Sequence, residues 1–389
     1  MASSRIEGDD MTYEEIVIVG AAESELIGIV PDVSATGLAI GSALRALDDA
    51  GLKPSDVDGI AGTLHVSELA LQLGVKPRYA DGTNVGGCSY MLHVRHAVAA
   101  LRSGMADVVV IMHGESGRSR VGSPPMAMDM ATASGQFERP YGIAGTFSMF
   151  TIPTMAYLHK YGLDETALAH VSVAQSKWAA QQPRALRQKV LSVEDVMESK
   201  MISWPFRVLE CCPVTDGGGS LVLTTAKRAA DMDLKYKPVV VAGTGELVEG
   251  AGSSFMEDLT SFRAFRESSA EAFRTADMTV NDIDHLMIYD AYAHVPLYGL
   301  EDLGFVGRGE ASEFIKSGAT SPGGSLPMNT NGGGLMYTHT GMYGMFALQE
   351  GVRQIRGTSP AQVEGVQTSF VQGVGGMFGA AGAVVLRTQ

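Results

Sequence analysis

Cys88 is the residue of this 389-residue chain whose type and surroundings best suit nucleophilic chemistry. It directly follows Gly86 and Gly87 and stands before a helical pattern over residues 89–102. Backbone N–H groups and the helix dipole at such a position favour a thiolate. A thiolate is a competent nucleophile toward a thioester carbonyl. The competing interpretation is that Cys88 is a small apolar side chain that only fills space.

His339 is the second candidate for chemistry. It lies in the glycine-rich loop of residues 330–341, just before a helical pattern over residues 345–356. An imidazole there can donate a hydrogen bond to a thioester oxygen or relay a proton. A single histidine is more often structural, so the catalytic hypothesis depends on whether His339 meets Cys88.

The other two cysteines, Cys211 and Cys212, are adjacent in the chain. Together with Cys88 they form neither a disulfide framework nor the paired C-x-x-C spacing of a zinc site. The sequence therefore predicts free thiols and no metal bound within this chain.

The elements that must position these residues occur twice. A helix, a turn and a strand entry over residues 36–60 have a counterpart over residues 269–288, where Asp282-Ile-Asp284 matches Asp56-Val-Asp58. Later in each half, a glycine-containing loop leads into a helix that ends at a glycine. Apolar strands follow, of the kind buried between helices. The pattern predicts a layered α/β architecture built twice, in which a pseudo-twofold axis brings the equivalent helix starts together.

The repeat also suggests how the chain is divided. The regions are a flexible arm or tag remnant over residues 1–10, an N-terminal half over 11–115 and 215–235, a loop or insertion region over 116–214, and a C-terminal half over 236–389. The insertion fits neither copy. A long irregular insertion in a compact protein is typically functional or contacts a partner.

Composition excludes several classes of protein. A hydrophobic fraction of 45% and a charged fraction of 19% are typical of a globular protein with a large core. A formal charge of −14 disfavours nucleic-acid binding. No apolar run approaches the roughly 18 residues of a membrane span, and the N-terminus has no apolar signal region. We therefore expect a cytoplasmic protein that binds neither membrane nor nucleic acid.

Taken together, several motifs resemble those of the thiolase superfamily. They are the duplication, the loop before Cys88, the segment Tyr289-Asp-Ala-Tyr-Ala293, the loop of residues 329–341 and the segment Gly373-Val-Gly-Gly376. The similarity covers residues 16–389 and is greatest to the lipid-transfer-protein, or thiolase-like, branch. It implies the thiolase fold, with duplicated βαβαβαββ halves in a layered αβαβα arrangement. It also implies coenzyme A as substrate or product, an acyl-CoA substrate, a homodimer and a small zinc-containing OB-fold (DUF35) subunit.

The resemblance assigns roles to the helix starts. The family's nucleophilic cysteine corresponds to the segment Gly87-Cys88-Ser89, but counting back from Gly104 places it at Gly87, one residue before Cys88. His339 matches the histidine of the family's Gly-His-Pro motif.

Two other family residues are replaced. Tyr289 stands for the water-holding asparagine of the Asn-Glu-Ala-Phe motif, and Val371 stands for the second cysteine, the family's base. The backbone N–H of Gly373 remains as an oxyanion donor. Another acid or base is still needed. The candidates are Asp290, Tyr292, His294, Tyr343 and His65.

These assignments support three hypotheses. The leading one is an acyltransferase that thiolytically cleaves or forms a 3-oxoacyl-CoA through a Cys88 acyl-enzyme, with His339 as oxyanion donor. The second is a thiolase-fold retro-aldolase that cleaves a 3-hydroxyacyl-CoA without covalent catalysis, using a tyrosine or aspartate as base and His339 as electrophile. The third is a non-catalytic acyl-CoA or sterol carrier, or a scaffold subunit.

Overall fold

The structure is a computed structural model that describes residues 14–122, 130–143 and 145–389. The predicted arm over residues 1–10 lies outside these ranges. Among the described residues, no helix is both long and apolar enough to cross a membrane.

The N-terminal half alternates strands and helices, as its periodicity predicts. In chain order the elements are β1 (Ile16–Glu23), α1 (Ala35–Asp49), β2 (Gly59–Gly62), α2 (Val66–Leu73), β3 (Tyr79–Asp81), α3 (Ser89–Arg102) and β4 (Val108–Ser116). At the start of α1, the Ser34 hydroxyl accepts a hydrogen bond from the N–H of Gly37 at 3.1 Å. Gly104, with a φ of 70°, follows the end of α3, which is the predicted glycine stop.

The described residues between 116 and 214 include four α-helices and one short antiparallel strand pair. They contain α4 (Ala133–Phe137), α5 (Thr146–Tyr161), α6 (Thr166–Ala179), α7 (Val193–Met197), β5 (Met201–Ser203) and β6 (Phe206–Arg207). The sequence pattern did not indicate α5, because this helix carries apolar residues on its exposed side as well as its buried side. Phe147, Ile152 and Met155 are all exposed, so the helical periodicity is weak.

The chain then returns to complete the first half and builds the second. The elements are β7 (Asp216–Thr225), α8 (Ala226–Ala230), β8 (Val239–Val248), α9 (Arg263–Ala276), β9 (His285–Ile288), α10 (Val295–Asp302), α11 (Ala311–Lys316), α12 (Gly333–Met336), α13 (Gly344–Arg356), β10 (Thr368–Gly375) and β11 (Ala380–Arg387).

One mixed sheet joins the two halves in the order β3-β2-β4-β7-β1-β8-β11-β10-β9. At the junction β1 and β8 pair antiparallel, with Val17 opposite Val240. Outward from this junction, β7, β4 and β2 of one half correspond to β11, β10 and β9 of the other. A parallel bridge between Leu286 and Met328 takes the position that β3 holds in the first half. The topology is therefore repeated about the β1–β8 pair.

The two predicted Asp-containing turns are equivalent in their hydrogen bonds. Asp58 accepts the N–H groups of Asp107 and Val108 at 2.8 and 2.9 Å. Asp284 accepts those of Gln367 and Thr368 at 2.9 and 3.0 Å. Each carboxylate thus ties the turn before one strand to the start of the next strand. The predicted duplication is therefore confirmed even in individual hydrogen bonds.

The helices form the outer and central layers. α1 packs on strands of the first half and α9 on strands of the second, while α3 and α13 contact each other and strands of both halves. Met91 of α3 and Phe346 of α13 belong to the main apolar core between the two parts of the sheet. The predicted layered arrangement is confirmed, and its central layer carries the two helix starts.

Candidate active site

The starts of the two equivalent helices meet at the centre of the molecule. A Cβ atom built on Gly344, the first residue of α13, would lie only 2.2 Å from the carbonyl oxygen of Gly87, just before α3. The pseudo-twofold arrangement therefore brings the loop of residues 84–88 against the loop of residues 329–343, as the sequence predicted.

Tyr289 fills the space beside Gly87. A Cβ atom on Gly87 would lie 2.5 Å from both Oη and Cε2 of Tyr289. The tyrosine follows the end of β9 and is 3% exposed. Any side chain at position 87 would collide with this ring, so the glycine and the tyrosine fit each other as a pair. Position 87 is where the family's nucleophile is expected, and here a phenol occupies that volume.

Cys88 points elsewhere. Its side chain lies against β10, because a Cβ on Gly375 would be 2.9 Å from Sγ and a Cβ on Gly373 would be 2.9 Å from the Cβ of Cys88. The residue is fully buried within the main core. Burial raises the pKa of the thiol, partly offset by a backbone hydrogen bond, so the neutral form prevails. This environment is that of a space-filling cysteine.

A hydrogen-bonded chain connects Tyr289 to His339. Oη of Tyr289 lies 2.9 Å from Nε2 of His339, and the backbone N–H of Tyr343 donates to the same Oη at 3.1 Å. When the phenol donates to Nε2, the phenol, the imidazole nitrogen and the N–H of Tyr343 each have a hydrogen-bond partner. Burial raises the pKa of Tyr289, so the hydroxyl remains protonated at neutral pH.

His339 is held in place through its backbone. Its N–H donates to Oγ1 of Thr215 at 3.0 Å, and its carbonyl accepts from the N–H of Thr215 at 3.1 Å. Burial lowers the pKa of His339 to about 4. The imidazole is therefore neutral near pH 7 and can accept a proton from the phenol. The hydrogen-bonded pair of Tyr289 and His339 has the groups that acid–base chemistry needs.

Asp290 is hydrogen-bonded to the loop that carries His339. Its carboxylate accepts the N–H groups of Gly334 and Leu335 at 2.6 and 3.1 Å. Burial raises its pKa to about 8, although these hydrogen bonds act in the opposite direction. The residue anchors α12, and through it the loop that carries His339.

Tyr292 and His294 lie in an aromatic cluster. The Tyr292 hydroxyl is 3.0 Å from Oγ1 of Thr146 on α5. His294 is fully buried, with ring centroids of Phe150 and Phe206 at 5.0 and 5.3 Å. Burial lowers the pKa of His294 to about 3, so its ring is neutral.

The remaining predicted residues are placed apart from one another. The Tyr343 hydroxyl donates to Oδ1 of Asn331 at 2.7 Å, so this residue meets Tyr289 through its backbone N–H. Gly373 lies within β10, opposite Gly382 of β11. His65 is exposed at the start of α2. Whether any of them takes part in catalysis stays a prediction.

Three polar residues that the sequence did not single out surround the loop of residues 339–343. The hydroxyl of Tyr90 lies 2.5 Å from Nδ1 of His113, whose Nε2 lies 2.8 Å from Oγ1 of Thr340. The third is Glu115, two residues beyond His113 on the same face of β4. The sequence showed only an apolar strand there, because the hydrogen-bond partners of His113, Tyr90 and Thr340, lie 23 and 227 positions away in the chain.

Tyr289 itself was noted in the sequence only as a replacement for asparagine. A signal for its role was present: a small residue replaces the expected cysteine at Gly87, and a large one replaces the expected asparagine at Tyr289. Complementary size changes of this kind indicate two positions in contact.

Comparisons with known proteins give a consistent result. A family described as thiolase C-terminal domain-like matches residues 245–388. The chain is 33% identical to a 17-hydroxy-3-oxo-4-pregnene-20-carboxyl-CoA lyase of Mycobacterium tuberculosis, covering 86% of this chain and 90% of the relative. It is 31% identical to a steroid side-chain-cleaving aldolase of Thermomonospora curvata, covering 92% and 97%. It is also 30% identical to an acetyl-CoA acetyltransferase of Methanothermobacter thermautotrophicus, covering 94% and 98%.

A solved structure agrees with these relatives. The structure described as the Ltp2-ChsH2(DUF35) aldolase superposes with a TM-score of 0.87 at 28% identity, covering 96% of this chain and 98% of that one. The predicted thiolase fold is confirmed by this likeness.

Proposed function

Because this chain belongs to the thiolase superfamily, in its thiolase-like branch, we propose that it is a retro-aldolase acting on a 3-hydroxyacyl-CoA. The observation that carries the proposal is the Tyr289 hydroxyl in the space of the expected nucleophile, hydrogen-bonded to His339. Coenzyme A is then part of the substrate and of one product. Two relatives are a lyase and an aldolase by name, and steroid side-chain thioesters are the first substrates to test.

The proposed reaction uses the two side chains as a proton relay. The 3-hydroxyl proton of the substrate passes to Oη of Tyr289 while the phenol proton passes to Nε2 of His339. The C2–C3 bond breaks, its electron pair forms the thioester enolate, and C3 leaves as a ketone or aldehyde. Because the phenol passes a proton on as it receives one, no free tyrosinate is required, and burial makes that anion costly. The enolate then takes a proton at C2.

The acyl-enzyme hypothesis receives less support. A nucleophile must be ionised and must reach the thioester carbon. The Cys88 thiol is neutral, fully buried and directed at the glycines of β10. The similarity to an acetyl-CoA acetyltransferase keeps acyl transfer as a second candidate. The carrier hypothesis is disfavoured by the Tyr289–His339 pair, since a carrier needs no proton relay.

The proposal extends to partners. We expect a DUF35 subunit, since one is named in the structure with a TM-score of 0.87. The homodimer and the cytoplasmic location stay predictions, which sedimentation at micromolar concentration and fractionation of host cells would test.

Three variants test the function, assayed by release of the shortened acyl-CoA from 3-hydroxyacyl-CoA substrates with the DUF35 subunit present. Tyr289→Phe and His339→Ala should each lower turnover by about 10²–10⁴-fold, the usual contribution of a general acid or base. Cys88→Ala should keep wild-type turnover, because the thiol takes no part.

The opposite pattern would support the acyl-enzyme. In that case Cys88→Ala is inactive, and intact-mass analysis after incubation with a 3-oxoacyl-CoA shows an acyl adduct on the wild-type protein. Binding of the thioesters without any turnover would favour the carrier.

A further inference from the structure

Glu115 places a carboxyl group beside the loop that carries His339. A Cβ atom built on Gly341 would lie 2.5 Å from both Oε1 and Oε2 of Glu115. Gly341 has a φ of 129°, lies between His339 and Tyr343, and is exposed. Glu115 is half-buried, and its carboxyl oxygens lie against this loop.

The carboxyl group is incompletely paired. Oε2 is buried and has no hydrogen-bond partner among the described residues. A buried polar atom without a partner costs about 1–3 kcal/mol, so such atoms are rare and call for an explanation. A substrate in the site would supply one.

The charge of Glu115 affects the pKa values of nearby groups. Its negative charge contributes to the raised pKa values of Tyr90 on α3 and of Tyr289 after β9, whose main cause is burial. Burial raises the pKa of Glu115 itself to about 7, and the guanidinium of Arg120 acts in the opposite direction. His113, the other titratable group on this face of β4, is neutral because burial lowers its pKa to about 3. Both forms of Glu115 are thus present at neutral pH.

We propose that Glu115 is the catalytic acid that protonates C2 of the enolate, an inference that rests on the proposed retro-aldol function. The enolate electron pair forms the new C–H bond with the carboxyl proton, the thioester carbonyl re-forms, and Glu115 becomes a carboxylate. Water reprotonates Glu115 through its exposed side, and His339 returns its proton to solvent through Tyr289. Atoms and charge balance without another reactant.

The pKa values agree with these roles. His339, at about 4, is neutral at pH 7 and can take the first proton, while Glu115, at about 7, is protonated in part of the molecules and can give a proton. Separation of the pKa values of neighbouring groups is a general way to assign base and acid. The family's base, its second cysteine, is replaced by Val371, and the sequence did not indicate a substitute on β4. Glu115 would exchange the proton with the α-carbon in place of that cysteine.

The reverse of this step gives a direct test. The protein, with its DUF35 subunit, is incubated in D₂O with propanoyl-CoA as the probe, and deuterium at C2 is measured by mass spectrometry. The wild type should exchange, and Glu115→Gln should exchange about 100-fold more slowly, within the range for an acid–base group. Glu115→Asp should restore part of the rate. Glu68→Gln, on the exposed surface of α2, is the matched control and should exchange as the wild type does.

The pH dependence separates catalysis from structure. The wild-type exchange rate should change around pH 7, and this transition should be missing from Glu115→Gln although its melting temperature is unchanged. Exchange by Glu115→Gln at the wild-type rate, or no exchange by the wild type, overturns the inference. Glu115-dependent exchange without cleavage of any 3-hydroxyacyl-CoA would instead overturn the proposed function and leave Glu115 as the acid at C2.

Discussion

The two halves of the molecule are alike in their turns and different at their helix starts. Asp58 and Asp284 make the same pair of backbone hydrogen bonds in the two copies. Where the helix starts meet, the first half contributes Gly87, which has no side chain. The second half contributes Tyr289, after β9, and His339, in the loop before α13. At position 87 the first half therefore leaves space that the Tyr289 phenol of the second half occupies, while the Asp-containing turns of the two copies remain equivalent.

The largest expected effect comes from refilling that space. In Gly87→Ala, the added methyl group would lie 2.5 Å from Tyr289 atoms and would displace Oη from His339. We expect cleavage to fall by about 10²–10⁴-fold, as when an acid–base group is lost. Overpacking should also cost about 1–3 kcal/mol of unfolding free energy. Turnover and urea unfolding measure the two effects.

Gly41→Ala on α1 is the matched control. A Cβ atom there meets nothing within 4 Å. This variant should keep wild-type turnover and gain up to about 1 kcal/mol from helix propensity. If G87A cleaves at the wild-type rate, Tyr289 does not act from the position described.

An intermediate effect is expected from the equivalent turns. Asp58→Ala and Asp284→Ala each leave two backbone N–H groups without their carboxylate, which should cost about 1–3 kcal/mol in the free energy of unfolding. Asp58 also pairs with the exposed Arg78, and such surface pairs add little. Urea titration should therefore give similar losses for the two variants. Asp48→Ala, at an exposed position of α1, is the control, and a large difference between the two turns would break their equivalence.

The smallest expected effect is on stability, at a histidine contact between the two halves. His96 of α3 lies 2.8 Å from Asp81 of its own half and 3.2 Å from Glu246 of β8 in the other. Hydrogen bonds to Asp81 and Glu246 raise the pKa of His96 to about 9. Because this pKa is above the unfolded value of about 6.5, the stabilisation is complete below pH 6.5 and is lost as pH rises through 9.

Because these side chains are partly exposed, His96→Gln should cost no more than about 1 kcal/mol. Melting curves of the variant and the wild type should differ at pH 6 and converge near pH 10. A difference that stays constant over this range would show that the charge of His96 is not responsible.

Local features were predictable where the partners are near in sequence. The helix over residues 89–102 has the predicted bounds, because its apolar spacing and its glycine stop lie within the segment itself. The helix α5 was missed, because its outer face is apolar and the periodicity that marks a surface helix is weak. The meeting of Gly87 with Gly344 followed from the duplication, although the two residues are far apart in the chain.

The duplicated fold, its family and the meeting of the helix starts could be predicted from the sequence, because periodicity, turn residues and repeated motifs are contained in short segments. Which of two adjacent residues faces the site depends on the packing of the whole chain. Successive residues at a helix start point about 100° apart, so a shift of one position sends Cys88 to the core and leaves Gly87 against Tyr289. The tertiary structure also decided the proximity of Glu115 to Gly341, because strand β4 and the loop before α13 meet only when the two halves are packed together.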